Sequence, residues 1–409
     1  MAAHFIAGLD IGTATTRVVV AERQKDGRPL LRLVFSHPSQ GVRKGAITDL
    51  GEASQVAGRA LAEVKKFSRA ALQNVYVSIG TPQARTQVSR GITAVSRVDA
   101  EIYQDDIDRV IRASQAVNLP PNQMILHNVH REFIVDGVGD IADPLGLSGN
   151  RLEVNTLIID AFAPHVKGIM RATELAGGRI GGLIFGPLVA GRSALSKSQK
   201  DLGVVLIDIG FGTTGLCVYE ENKLLHTSIF PAGAGNVTND IAVGLKIPVA
   251  AAEKIKLSHG YALAKDVGQK ETVELDKFIP GAKGTISRRF IAEIIESRLA
   301  EIFDFIGNEL KLLGKAGELP GGAVLVGGGA KMPGITDLVK QELKLATQVG
   351  LAVGDEWAVE NPNFSEFFED PEYVNVLGLV LYGADQEKWR PSSLSSPITI
   401  KNIFRYFLP

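Results

Sequence analysis

Hydrophobic and polar residues fall into two nearly matching passages half a chain apart. Residues 5–9 form an apolar run that ends in Gly8-Leu9-Asp10-Ile11-Gly12-Thr13-Ala14-Thr15-Thr16, and residues 17–21 form another. Residues 203–208 repeat the design, closing on Ile207-Asp208-Ile209-Gly210-Phe211-Gly212-Thr213-Thr214 before the apolar run 214–219. The β-branched stretch Val18-Val19-Val20 predicts a strand covered on both faces. Further strands are predicted at 30–36 and 75–79. A helix is predicted over 52–67, where Val56, Ala57, Ala60, Leu61 and Val64 share one face.

Between 82 and 155 the pattern changes. Strand-like pieces at 84–96 and 123–135 flank one helix that starts near Gln104, as in a small α+β insertion. A strand at 156–161 and a helix at 165–176 resume the earlier character. After the second copy come a strand at 224–230 and a long helix over 290–313. The apolar positions of that helix (Ile291, Ile294, Ile295, Leu299, Ile302, Phe303, Ile306, Leu310) follow the helical period, and Gly314 supplies a stop. Val324-Leu325-Val326 leads into Gly327-Gly328-Gly329-Ala330, and a helix follows Pro333. Strands joined by tight turns and then by helices predict an α/β fold with a mixed sheet in each half.

After Ala384 the chain turns polar and rich in Ser and Pro through Pro397, as a tether would. Beyond it Ile400, Ile403, Phe404, Phe407 and Leu408 fall on one helical stripe, with Lys401 and Arg405 off it. A short basic amphipathic helix of this kind suits a membrane interface. The plainer alternative is a terminal helix docked on its own domain, and the tether argues against it. One such tail binds weakly, whereas several on an oligomer bind far better.

Composition narrows the function classes. At 409 residues the chain exceeds one ordinary core, so roughly two to four domains are expected. A net charge of −1 argues against a dedicated nucleic-acid binder. The single cysteine, Cys217, excludes an internal disulfide, fits a reducing compartment and reads as a small core hydrophobe. Asp10 interrupts the early apolar run, so no signal peptide is expected, and no stretch is long enough to span a bilayer. A cytoplasmic protein with peripheral membrane contact follows. No Cys/His group has zinc spacing, and nothing resembles a Ser-His-Asp set.

The two loops carry the chemistry. Glycine at a tight strand turn lets backbone N–H groups face phosphate oxygens, and threonine hydroxyls add donors. A carboxylate at the strand end, Asp10 or Asp208, suits the water shell of a Mg²⁺ bridging those oxygens. Either loop alone is an ordinary turn; the pair suggests a nucleotide clamped between similar halves. Residues 210–215 also fit G-x-G-x-x-G, but that motif must open a helix, and here another strand follows, so the dinucleotide reading fails. Gly328 and Gly329 permit close approach of a flat base, or else serve a loop that needs positive φ. Glu253 and Lys256 share a helix face and either reach a ribose or form a solvated pair.

With these pieces assembled, the chain resembles the actin/Hsp70/sugar-kinase superfamily and, within it, the FtsA family of bacterial cell-division proteins. The resemblance runs over nearly the whole length. It rests on residues 41–49 (Gly-Val-Arg-Lys-Gly-Ala-Ile-Thr-Asp), 143–152 (Asp-Pro-Leu-Gly-Leu-Ser-Gly-Asn-Arg-Leu), 235–242 and 252–256, and on 183–188, which is similar to a connecting-helix segment. It implies an actin-like (ribonuclease H-like) pair of duplicated domains around a nucleotide cleft, with an inserted α+β subdomain 1C of the SHS2 type. The implied layout is 1A at 1–81 and 158–196, 1C at 82–157, 2A at 197–232 and 306–384, and 2B at 233–305. A linker would span 385–397 and a membrane-targeting helix 398–409.

The same resemblance implies ATP with Mg²⁺, held by Gly12, Thr13, Thr15, Gly210, Gly212, Thr213, Gly235, Asn236, Glu253, Lys256, Gly328, Gly329 and Ala330, with Asp10 and Asp208 acting on the metal through water. It implies filaments formed through 1C and 2B, an anionic membrane surface, other divisome partners, and the C-terminal tail of FtsZ bound near Arg298. The place would be the cytoplasmic face of the membrane at the division site. The chain departs from the family at Phe211, where glycine is usual, at Gly215, where an acid is usual, and at Thr15, where lysine is common. Those departures imply slow or absent ATP hydrolysis. Two other readings of the fold stand beside this one: a pilus-assembly ATPase, which shares 1C but usually lacks the terminal helix, and a small-molecule kinase. A kinase needs a general base beside the transferred phosphoryl group, and no extra loop carboxylate supplies one.

Overall fold

The computed structural model describes residues 4–358 and 364–388. Its first half contains β1 (Phe5–Ile11), β2 (Thr15–Arg23), β3 (Pro29–Pro38), α1 (Leu50–Phe67), β4 (Val75–Ile79), β5 (Arg85–Ala94), α2 (Gln104–Ser114), β6 (Gln123–Val135), β7 (Val138–Ile141), β8 (Arg151–Phe162), α3 (Ala163–Leu175), β9 (Ile180–Phe185) and α4 (Gly186–Ala194). Its second half contains β10 (Val204–Ile209), β11 (Thr214–Glu220), β12 (Lys223–Phe230), α5 (Ala234–Leu245), α6 (Val249–His259), α7 (Arg288–Leu312), β13 (Ala323–Val326), α8 (Ile335–Leu343), β14 (Thr347–Val349) and α9 (Val374–Lys388).

Two five-stranded sheets share one topology. The first has the order β9-β4-β1-β2-β3, and the second β14-β13-β10-β11-β12. In each, the central strand pairs antiparallel with the next strand in sequence and parallel with a strand reached by a crossover. The central strands are apolar on both faces because helices cover both sides. Ile6, Leu9, Val18, Val19 and Val20 are fully buried, as are Val205, Leu206 and Ile207.

The helices follow from local signals. Asp49 caps α1 by accepting from the Glu52 N–H at 2.9 Å, and α1 buries the predicted face plus Ala53. Ser287 caps α7, which buries Ile291, Ile295, Leu299, Ile302, Phe303, Ile306 and Leu310. Gly314 ends it at φ +67°, and the Lys315 N–H closes on the Leu310 carbonyl at 2.8 Å. Of residues 183–188, the first three finish β9; the helix begins at Gly186, with Pro187 in its first turn, where a missing N–H costs nothing.

Between β4 and α3 lies a separate sheet of order β5-β8-β6-β7, with α2 packed on it. Its strand β8 begins at Arg151, earlier than the sequence suggests. The charged start hid it: Glu153 is buried, with Arg90 and Arg151 closing over its carboxylate. At the other end of the chain, α9 continues beyond Ala384 to Lys388. Arg192 of α4 holds Asp385 at 2.7 Å there.

Phe303→Ala should destabilise the protein by about 3–5 kcal/mol, as expected for a fully buried aromatic. On the same helix Leu312 is 84% exposed, so Leu312→Ala should stay within about 0.5 kcal/mol of the parent. Urea unfolding of the two variants checks the assignment of the buried face.

Candidate functional site

The two hairpins meet over one cleft of about 500 Å³. Asp10 lies opposite Arg17 in the β1–β2 register, and Asp208 lies opposite Gly215 in β10–β11. The second loop therefore joins two antiparallel strands, which removes the dinucleotide reading of residues 210–215. The Gly210 N–H donates to the Thr213 carbonyl at 2.9 Å and closes the turn. Thr13 comes so near the second loop that a Cβ on Gly212 would sit 2.7 Å from its Oγ1, so only glycine fits. Asp10, Gly12, Thr13, Thr15, Asp208, Gly210, Gly212, Thr213, Glu253, Lys256, Gly328 and Gly329 all line the cleft.

The two carboxylates sit in matched surroundings. Asp10 accepts from the Ser78 hydroxyl on β4, and Asp208 from the Asn375 amide on α9 at 2.6 Å. Burial pushes the Asp10 carboxyl above its ordinary range. Burial also pushes Asp208 up, to about 6; the negative charge of Asp10 adds to this, against the Asn375 hydrogen bond and Arg17. Among the described residues no cluster of three or more His, Cys, Asp or Glu side chains could hold a metal ion. Two carboxylates without a third ligand suit a cation that keeps its water, as Mg²⁺ does. Cys217, behind the second loop, is buried with its thiol pushed up to about 12 by burial, so it packs rather than reacts.

Glu253 and Lys256 form an inward network. Lys256 is 5% exposed and donates to the Ala234 carbonyl at 3.2 Å and the Thr238 hydroxyl at 2.8 Å, beside Glu253 at 2.8 Å. Its ammonium also lies 5.5 Å from the centre of the Phe211 ring. Phe211 packs on Gly235, and the first N–H groups of α5 are taken by this loop: Ala234 donates to the Gly210 carbonyl at 2.9 Å and Gly235 to that of Phe211 at 2.7 Å. Asn236 accepts from the Gly233 N–H at 3.1 Å. Gly235 and Asn236 thus brace the loop instead of lining the cleft. Ala330 is buried beside the glycine cluster and lines a neighbouring depression, not the cleft. Gly327, at φ +83°, ties that cluster to the segment before α9 by donating to the Pro371 carbonyl at 3.0 Å.

Five polar side chains of the cleft had escaped the sequence reading: Arg17, Ser78, Lys331, Glu372 and Asn375. Arg17 pairs with Glu372, and Lys331 lies 3.4 Å from the same carboxylate. Extending the match of the two loops by one residue would have placed Arg17 across from Asp10. Asn375 is a lone amide in the apolar run Val374–Leu377, which was its signal. Arg298 lies away from the cleft on α7, where Asp240 holds it by two hydrogen bonds and Glu301 by another. Ile400, Ile403, Phe404, Phe407 and Leu408 lie outside the described residues. Among the described residues no helix is long and apolar enough to cross a membrane.

The Asp208 carboxyl has an expected pH signature. Its pKa rises on folding from 3.8 to about 6, so the folded state binds the proton more tightly. The resulting stability is complete below about pH 4 and is lost as pH rises through 6, by about 3 kcal/mol at most. Asp208→Asn should therefore raise the unfolding midpoint of the ligand-free protein at about pH 7.5, and the gain should shrink below about pH 6 and vanish near about pH 3. A midpoint lowered at both pH values would contradict this assignment.

Comparisons with known proteins agree with the geometry. A family model described as cell division protein FtsA matches residues 205–378, and one described as the SHS2 domain inserted in FtsA matches 82–160. Cell division protein FtsA of Bacillus subtilis (strain 168) is 34% identical over 374 residues, covering 91% of this chain and 82% of the relative. Two solved structures share the fold. One is the PilM-PilN type IV pilus biogenesis complex, at TM-score 0.66 and 18% identity over 93% of this chain and 98% of that one. The other is MreB5 of Spiroplasma citri bound to ADP, at TM-score 0.54 and 14% identity over 94% and 98%. Matched half-sheets, an inserted SHS2 domain and this identity over most of its length together make the chain a member of the FtsA family of cell division proteins, with an actin-like fold.

Proposed function

We propose that this protein binds ATP with Mg²⁺ in the cleft, assembles with copies of itself and links the FtsZ C-terminal tail to an anionic membrane surface. The observation that carries the reading is the pair of half-buried carboxylates, Asp10 and Asp208, on matching hairpins that face one cleft. MreB5, which shares the fold, was solved with ADP bound.

In this reading the backbone N–H groups and hydroxyls of Gly12, Thr13, Thr15, Gly212 and Thr213 receive the phosphates, and Gly210 closes the turn that presents them. Glu253 and Lys256 meet the ribose, and the base lies against Gly328 and Gly329. Mg²⁺ would supply positive charge between phosphate oxygens, and Asp10 and Asp208 would orient its waters. With Gly215 opposite Asp208, the second loop offers no further acid to activate a water, so turnover is slow or absent. The role is one of structure and recruitment.

The insertion at 82–157 serves as 1C and, with 2B at 233–305, as the filament contact. Residues 385–397 serve as the linker, overlapping the end of α9, and 398–409 as the membrane helix. Arg298 would meet the acidic peptide: Asp240 and Glu301 hold its guanidinium, and a carboxylate from the tail would have to replace one of them.

Two measurements test this reading. The full chain should pellet with vesicles containing anionic lipid, and removal of residues 398–409 should abolish pelleting; equal pelleting after removal would sink the anchor. A peptide of the FtsZ C-terminal tail should bind the protein, and Arg298→Ala should weaken it by about tenfold, the effect of losing one charge-assisted partner. No binding at millimolar peptide would exclude the tail as partner.

A further inference from the structure

Glu372 is out of place in a phosphate site. It sits just before α9, and its backbone is fixed: its N–H donates to Asp370 Oδ1 at 2.9 Å, and the preceding carbonyl, of Pro371, is bound by the Gly327 N–H at 3.0 Å. This anchoring delivers the Glu372 carboxylate into the cleft. One oxygen pairs with Arg17, which comes from the first sheet. The other lies 3.4 Å from Lys331, which follows the glycine cluster of the second half. A Cβ on Gly328 would stand 3.3 Å from that second oxygen, so the carboxylate lies beside the glycines as well.

Two cations from opposite walls are thus bridged by one carboxylate about as wide as a phosphate group. Arg17 is not saturated by it, and Lys331 is held more closely by Asp370, at 3.0 Å. Arg17 keeps a buried Nε without a hydrogen-bond partner, and the ring of Tyr373 covers its guanidinium at 5.4 Å. Asn375, one turn further on, keeps a buried Oδ1 without a partner while its Nδ2 serves Asp208. Buried polar atoms left unpaired around an open cleft point to a polar ligand that completes them.

We propose that Arg17 and Lys331 form a phosphate subsite that Glu372 occupies in the ligand-free protein, and that a nucleotide phosphate displaces Glu372 to bind. This deepens the proposed nucleotide reading and rests on it. Glu372 then lowers affinity in two ways. Its pairs with Arg17 and Lys331 must open first, a cost charged against binding. Once displaced, its negative charge remains near the incoming phosphate. The effect falls mainly on phosphate-bearing ligands: Glu372 also flanks Gly328, against which the base would lie, but adenosine makes no demand on the two cations.

The test is calorimetric titration of the full-length protein with Mg·ATP and, separately, with adenosine. Glu372→Gln keeps the side-chain shape and should tighten Mg·ATP by about tenfold, while adenosine affinity stays within about twofold. Lys331→Gln, which leaves the Arg17–Glu372 pair in place, should weaken Mg·ATP. Unchanged or weaker Mg·ATP binding by Glu372→Gln would overturn the subsite and make Glu372 a direct ligand contact or a bystander. An equal gain for adenosine would overturn it too, because Glu372 would then act by blocking space. Should the wild-type protein fail to bind Mg·ATP at millimolar concentration, the nucleotide reading falls and the subsite with it. Wild-type binding without the Glu372→Gln gain removes the subsite alone.

Discussion

Two carboxylates meet where neither ionises easily. Asp10 and Asp208 end the central strands of two matching sheets, and burial together with their mutual repulsion raises the Asp208 pKa to about 6. The surrounding structure is arranged to hold them. Ser78 and Asn375 fix their oxygens, Thr13 seats against Gly212 to bring the hairpins together, α9 supplies Asn375, and the turn before it supplies the anchored Glu372. Such a site favours a ligand that brings positive charge between the two acids while presenting negative charge to Arg17 and Lys331. A metal-bound polyphosphate has that distribution. This complementarity is the physical ground for the proposed function.

The repeat was legible in the sequence because it is local. Each hairpin is a continuous segment whose apolar run, acid, glycine and threonine stand in fixed order, so Asp10, Gly12, Thr13, Asp208, Gly210, Gly212 and Thr213 could be placed on one cleft without a structure. The long helix α7 and the buried face of α1 were legible for the same reason. Strand β8 was underestimated, because its first residues are charged and only the arginines around Glu153 make that burial tolerable. Residues 183–188 read as helix but divide between β9 and α4, since an apolar run does not announce where strand becomes helix.

The cluster of Arg17, Lys331 and Glu372 was not legible, because its members are distant in sequence. Arg17 and Glu372 are 355 positions apart, and Lys331 joins them from a third element. Nothing local to Glu372 says that its carboxylate enters a cleft, and Asp-Pro-Glu at 370–372 reads as a turn. The Glu253–Lys256 pair shows the reverse. Spacing left it open between a solvated pair and a ligand contact, and burial of Lys256 against Thr238 and Ala234 turned it inward. The departures at Phe211, Gly215 and Thr15 were read as slow or absent hydrolysis, and the cleft also holds Arg17, Lys331 and Asn375, which that reading did not count.

The central proposal is that the cleft takes a nucleotide together with a metal whose waters Asp10 and Asp208 would orient. The most direct measurement is the affinity of the full-length protein for ATP in the presence of Mg²⁺ and again in excess chelator. The account predicts clear binding with Mg²⁺ and a large loss without it, since bare phosphates would face two carboxylates. Equal affinity under both conditions, or tighter binding in chelator, would contradict it.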